Sequence, residues 1–94
     1  HVPHMLAYGM MDVAPAETHS YAGPSFRGIT RVAASPVEMW RDIVAYNAEA
    51  IGVGLDAVLD ELAALRDAIR RGDGEAVSAL LARARAARRR LDEG

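Results

Sequence analysis

The stretch IGVGLDAVLDELAALRDAI, residues 51–69, decides the fold of this chain. Its large apolar residues recur at alternating steps of four and three, the spacing of one face of a long helix. They are Ile51, Leu55, Val58, Leu62, Leu65 and Ile69. A helix is therefore predicted from Ala48 to Arg71. Gly72 marks its end, and Asp73 is placed to cap the helix that follows.

The same apolar spacing continues beyond this turn. Its positions are Val77, Leu80, Ala84, Ala87 and Leu91. Because the link is so short, the two helices are predicted to form a long antiparallel hairpin. A narrow apolar seam on a chain of 94 residues buries little surface. We therefore expect an all-α fold and an oligomer, most simply a two-fold dimer.

Shorter helices are predicted before the hairpin. The first covers Pro3 to Ala14, and a loop rich in Pro, Gly, Ser and Thr follows from Pro15 to Ser25. A short helical piece is predicted from Gly28 to Ala34. The next helix ends near Tyr46, and Asn47 can cap the long one.

The start of that next helix has a clear signal in Ser35-Pro36. Ser35 is predicted as the N-cap and Pro36 as the first helical residue. The helical spacing then turns Val37, Trp40 and Val44 inward.

Composition excludes several classes of function. The net charge is −2, which argues against a nucleic-acid partner. All eleven basic residues are arginine, and the chain has no lysine and no glutamine. Cysteine is absent, so disulfides and thiolate chemistry are excluded while the compartment stays open. No apolar run is long enough to span a membrane, and no signal peptide is recognisable.

The segment GPSFRGITRVAASPVEMW, residues 23–40, concentrates the candidate chemistry. Arg27 and Arg31 stand four residues apart, so they share a face if the backbone is helical. A planar guanidinium suits a carboxylate or a phosphate. The alternative is that each arginine caps a helix or pairs with a surface carboxylate. Trp40 at the end of the segment fits a core residue more readily than a ligand platform.

Two histidines open the chain. His1 and His4 lie three residues apart, a spacing that can hold zinc, but no Asp, Glu or Cys nearby completes a site, so no metal is predicted. Contact of His4 with an anionic substrate and simple packing at a helix start both remain open. A basic cluster near the C-terminus is interpreted as a solvated face rather than a nucleic-acid site. Its members are Arg83, Arg85, Arg88, Arg89 and Arg90.

The order HVPHMLAYGM, GPSFRGITRVAASPVEMWRDI, NAEAI and then a helical hairpin resembles the C-terminal helical dimerisation domain of prephenate dehydrogenases. The wider group includes arogenate and cyclohexadienyl dehydrogenases. The resemblance implies one domain over residues 1–94, similar in fold to the C-terminal domain of 6-phosphogluconate dehydrogenase-like enzymes. It also implies that an N-terminal dinucleotide-binding domain lies outside this chain.

The resemblance further implies an activity. Such enzymes oxidatively decarboxylate prephenate to 4-hydroxyphenylpyruvate in tyrosine biosynthesis, with NAD or NADP bound mainly by the other domain. A homodimer in the cytoplasm is expected, with prephenate or arogenate as substrate and neither nucleic acid nor membrane as partner. The isolated chain is expected to be inactive.

Substrate-binding residues follow from the matching motifs. His4 resembles the family's substrate-contacting histidine, Arg31 the arginine that binds a substrate carboxylate, and Trp40 the tryptophan lining that region. Arg27 stands where some members carry a lysine or arginine that reaches the neighbouring subunit's site, and His1 is the other histidine of HxPH. Gly28 departs from the aspartate that many members have after Arg27.

Two other classes of protein share some of these features. Small helical chorismate mutases are also dimeric and arginine-rich, and LDELAALRDAIRRGD resembles their first helix. They place a lysine and a glutamine or glutamate on the ether oxygen, whereas this chain has no lysine or glutamine. A non-catalytic helical interaction module would explain the apolar seam but neither HxPH nor the arginine pair.

Overall fold

The computed structural model describes all residues 1–94 and contains helices without any strand, which confirms the all-α prediction. The α-helices are α1 (Val2–Val13), α2 (Pro24–Thr30), α3 (Val37–Tyr46), α4 (Ala48–Arg70) and α5 (Gly74–Glu93). Two 3₁₀ helices cover Ala16–Tyr21 and Arg31–Ala34. None of the helices combines the length and the apolar character needed to cross a bilayer. The chain divides into two compact units, His1–Leu55 and Asp56–Gly94.

The first unit is organised around α1, which packs on α2 and on the second 3₁₀ helix. Its buried apolar residues are Ala7, Trp40 and Ile51. The start of α1 also approaches α4 closely, because a Cβ placed on Gly54 would lie 2.7 Å from Cγ2 of Val2. The absence of a side chain at position 54 therefore makes this contact possible.

The predicted loop from Pro15 to Ser25 is wrong in two respects. Most of it forms the first 3₁₀ helix, in which the Thr18 hydroxyl donates to the Pro15 carbonyl at 2.6 Å. In addition, α2 begins at Pro24 instead of Gly28. Proline is tolerated in the first helical turn because its missing N–H would have no intrahelical partner there.

The N-cap prediction for Ser35 is also wrong. The Ser35 hydroxyl donates to the Val32 carbonyl at 2.6 Å, which closes the preceding 3₁₀ helix. The Ser35 side chain therefore bonds to the preceding helix and does not cap α3. Pro36 is the N-cap residue of α3. Trp40 is buried as predicted, with 8% of its surface exposed, whereas Val37 is 68% exposed instead of pointing inward.

The second unit contains the turn of the predicted hairpin, α5 and the part of α4 from Asp56 onward. Gly72 turns the chain with φ of 68°, a conformation that favours glycine. The Asp73 carboxylate accepts the N–H of Ala76 at 3.0 Å, which confirms Asp73 as the N-cap of α5. Arg83 of α5 donates to Glu61 of α4 at 2.7 Å, and both lie equally far from Gly72 along the chain. The two helices are therefore antiparallel.

Several large apolar side chains of the second unit are exposed. Ala68 is its one buried apolar residue, while Val58 and Leu65 are half-buried. We call the exposed large side chains the apolar face; they are Leu59, Leu62, Ile69, Leu81 and Leu91. Part of the predicted seam thus packs within the hairpin and part of it stays open. Exposed apolar side chains of this kind are a candidate interaction surface.

Candidate functional site

An open groove of about 670 Å³ lies in the first unit, where α1, α2 and both 3₁₀ helices meet. We call it the arginine groove. The side chains that give it its chemical character are Tyr8, Asp12, His19, Phe26, Arg27 and Arg31. It therefore brings together the two arginines of the 23–40 segment and a histidine that the sequence did not single out.

The two arginines are held differently. Nε of Arg27 donates to the carbonyl of Ala22 at 3.2 Å, and Ala22 is the C-cap of the first 3₁₀ helix. The helix-capping alternative therefore applies to Arg27 in part. The side chain of Arg31, in the second 3₁₀ helix, makes no hydrogen bond within the chain.

Neither arginine is paired with a carboxylate. The five ion pairs of the chain involve other arginines, namely Arg41, Arg66, Arg71, Arg83 and Arg88. The surface-pair alternative is therefore wrong for Arg27 and Arg31. Arg31 keeps its full set of N–H donors, and Arg27 keeps its two terminal amino groups.

The two N-terminal histidines and Trp40 form a separate aromatic cluster. The His4 ring stacks on the indole with ring centroids 3.8 Å apart and an interplanar angle of 20°. His1 meets the same indole edge-on, with centroids 5.5 Å apart and planes at 85°. His4 is not among the residues that line the arginine groove. The chain has no group of three or more His, Cys, Asp or Glu that could hold a metal ion.

The indole N–H of Trp40 is buried without a hydrogen-bond partner. An unsatisfied buried donor costs about 1–3 kcal/mol. Phenylalanine would fill much of the same space without that cost. Packing in this chain alone therefore does not explain a tryptophan at position 40.

Tyr8 connects the two parts of the site. It lines the arginine groove and also an apolar groove of about 390 Å³ beside Trp40 and Val44. Its hydroxyl donates to the carbonyl of Ser35 at 3.0 Å, across 27 residues of sequence. This bond ties α1 to the end of the 3₁₀ helix that carries Arg31.

Sequence reasoning missed Tyr8 and His19. Tyr8 could have been found, because it follows His4 by four residues and so lies on the same face of α1. His19 lies in an irregular segment without periodicity, so no sequence signal identified it. The arginines of the C-terminal cluster are all exposed, as expected for a solvated face, and two of them are paired, Arg83 with Glu61 and Arg88 with Asp92.

Comparisons with known proteins identify the family of this chain. The family described as prephenate dehydrogenase, dimerization domain, matches residues 1–83. A cyclohexadienyl dehydrogenase of Zymomonas mobilis is 39% identical over 82 residues, which cover 80% of this chain. The chain spans 28% of the length of that relative. No solved structure matches. The chain belongs to the family of prephenate dehydrogenase dimerization domains.

Proposed function

We propose that this chain is the dimerization and substrate-binding domain of a dehydrogenase that oxidatively decarboxylates prephenate or arogenate. The observation that carries the proposal is the arginine groove, in which Arg27 and Arg31 stand together without a carboxylate partner. Family membership and the similarity to a cyclohexadienyl dehydrogenase support the same assignment.

The chemistry of the substrate fits this groove. Prephenate and arogenate each carry two carboxylates, and a guanidinium binds a carboxylate through two parallel N–H···O bonds. We assign one substrate carboxylate to Arg31, whose donors are all free within the chain. Arg27 supports the same anion or, in a dimer, the neighbouring subunit's site.

The aromatic cluster supplies the remaining contacts in this proposal. Stacking on Trp40 covers the face of the His4 imidazole and leaves its two ring nitrogens at the edge, where they can bond a substrate oxygen. His1 packs against the same indole and fixes it from the side. The apolar groove beside Trp40 and Tyr8 suits the carbon ring of the substrate.

The residues of this chain do not fit a dinucleotide cofactor. A Rossmann site needs a strand, a glycine-rich turn and then a helix. This chain has no strand. Of its two G-x-G sequences, Gly52 to Gly54 lies inside α4 and Gly72 to Gly74 joins α4 to α5, so neither follows a strand. We therefore propose that NAD or NADP is bound by another part of the enzyme and that this domain supplies no atom to the hydride transfer.

The apolar face supports the dimer part of the proposal. Its five side chains are each at least half exposed, although they are leucine and isoleucine. Covering them with a second copy of the chain would remove this surface from water and stabilise both copies. The proposed assembly is a homodimer formed through the α4–α5 hairpin.

The substitution Arg31→Ala in the complete enzyme tests the function. The Michaelis constant for prephenate should rise by tens-fold to thousands-fold if the complete enzyme encloses the groove, because truncating one partner of an enclosed guanidinium–carboxylate pair costs about 2–5 kcal/mol. The Michaelis constant for the nicotinamide cofactor should change little. Arg31→Lys should recover only part of the loss, since an ammonium cannot form the paired bonds.

Arg85→Ala is the matched control. Arg85 is exposed on α5 and has no ion pair, so its removal should leave both Michaelis constants unchanged. If Arg31→Ala lowers the melting temperature but not substrate affinity, Arg31 is structural and the proposed site is wrong. The interaction-module alternative would be favoured if a partner protein is isolated with the hairpin and no small anion binds to the chain.

A further inference from the structure

His19 is a site residue that neither the motifs nor the aromatic cluster includes. It lies in the first 3₁₀ helix, Ala16–Tyr21, and lines the arginine groove together with Arg27 and Arg31. Its imidazole is exposed and takes no part in an aromatic pair or a hydrogen bond within the chain. The side chain is therefore available to a molecule in the groove.

The backbone fixes the position of His19 relative to Arg27. The N–H of Ala22 donates to the His19 carbonyl at 3.2 Å, and the Ala22 carbonyl accepts Nε of Arg27 at 3.2 Å. One residue thus connects the histidine-bearing turn to the arginine of α2. These two hydrogen bonds, which share Ala22, hold the turn that carries His19 beside the groove.

We infer that His19 is a third anion-binding residue of the arginine groove, which contacts a substrate carboxylate in its protonated form. This inference rests on the proposed function. The other charged or titratable side chains at the groove are Tyr8 and Asp12 of α1, Arg27 of α2 and Arg31 of the second 3₁₀ helix. Glu17 lies on the same 3₁₀ helix as His19.

The chemistry gives the site a dependence on pH. Histidine is the side chain whose charge changes between about pH 5 and pH 8. The imidazolium donates two N–H bonds and attracts a carboxylate, whereas the neutral ring has a single donor. A bound dicarboxylate adds negative charge beside His19, so binding and protonation favour each other. Affinity for the substrate should therefore fall as the pH rises through this range, while the two arginines stay charged.

The test compares His19→Asn with the unaltered enzyme in the complete dehydrogenase. The measured quantity is the Michaelis constant of the variant for prephenate divided by that of the unaltered enzyme. It is measured at about pH 6, within the range in which histidine side chains change charge, and at about pH 8.5, above that range. Taking the ratio cancels the titration of every group that both proteins share. We expect this ratio to be about 3–10 at the lower pH and near one at the higher pH. A ratio of about 3 corresponds to an exposed ion pair, and a ratio of about 10 to a charge-assisted hydrogen bond shielded from water.

Two further variants separate the possible outcomes. Glu17→Gln changes a charge on the same turn and should give no such pH-dependent ratio. If His19→Asn has a ratio near one at both pH values, or an equal rise at both, while Arg31→Ala still raises the Michaelis constant, the inference on His19 is wrong and the proposed function stands. If Arg31→Ala also has no effect, or the unaltered enzyme does not oxidise prephenate, the proposed function fails and His19 loses its role with it.

Discussion

Replacing Leu62 by aspartate should weaken the proposed dimer strongly. Leu62 belongs to the apolar face and is 50% exposed in the single chain. Burying a whole leucine side chain stabilises by about 1.5–3 kcal/mol, so the exposed half accounts for about 0.8–1.5 kcal/mol in each copy. A two-fold interface contains the residue twice, which gives about 1.5–3 kcal/mol per dimer.

That energy corresponds to a dissociation constant about 10- to 100-fold higher. The introduced carboxylate adds to the loss, because a buried charge without a partner is costly. Sedimentation equilibrium over a range of concentrations measures the dissociation constant directly. Circular dichroism of the same samples reports whether the helices remain.

Ala64→Asp is the matched control. Ala64 is exposed on the side of α4 opposite Leu62, so it receives the same charge on the same helix away from the apolar face. The control should associate like the unaltered protein. The reasoning is refuted if the unaltered protein is a folded monomer at micromolar concentration, or if both aspartate variants dimerise equally well.

Two more predictions concern the first unit and the activity. Tyr8→Phe removes the hydrogen bond to the Ser35 carbonyl, so it should destabilise by about 0.5–1.5 kcal/mol and lower the melting temperature by about 4–8 °C per kcal/mol; an unchanged melting curve would show that the bond contributes nothing. The 94-residue chain alone should form no reduced cofactor from prephenate and NAD or NADP, because it lacks a dinucleotide site. Measurable absorbance of NADH or NADPH would contradict this.

The sequence predicted the long elements well and the short ones poorly. Periodic apolar spacing identified α4 to within one residue of its observed end, and turn chemistry located Gly72 and Asp73 correctly. The elements between Pro15 and Ser35 have 6, 7 and 4 residues, and each is too short for a periodic signal. There, single hydrogen bonds of Thr18 and Ser35 to backbone carbonyls decide where each turn closes. Such choices depend on local geometry that composition does not encode.

The candidate site, like the fold, was predicted from the sequence only in part. Motifs selected Arg27, Arg31, His4 and Trp40, and the structure brings the arginines into one groove and the histidine onto the tryptophan. The motifs did not reveal that these are two separate clusters. They also missed Tyr8, which joins the clusters, because a tyrosine in an amphipathic helix looks like an ordinary packing residue. Its position four residues after His4 was the available sequence signal, and the hydrogen bond to a carbonyl 27 residues away shows what it does.

The contact between Gly54 and Val2 makes one position of α4 intolerant of change. Glycine within a helix costs about 1 kcal/mol relative to alanine, so an alanine there would ordinarily be an improvement. Here an added methyl group would meet Cγ2 of Val2 at 2.7 Å, and a β-branched side chain in a helix has little rotameric freedom to move aside. The backbone at the start of α1 would have to retreat instead.

Displacing the start of α1 in this way would also move the neighbouring histidines. His1 and His4 flank Val2 on the same first turns, and their ring contacts with Trp40 depend on where those turns lie. Gly54 itself is not a candidate site residue. The size of the residue at position 54 nevertheless determines how closely the HxPH segment can approach α4. Among natural or engineered variants of this domain, a larger residue at 54 should therefore occur only with a smaller one at position 2.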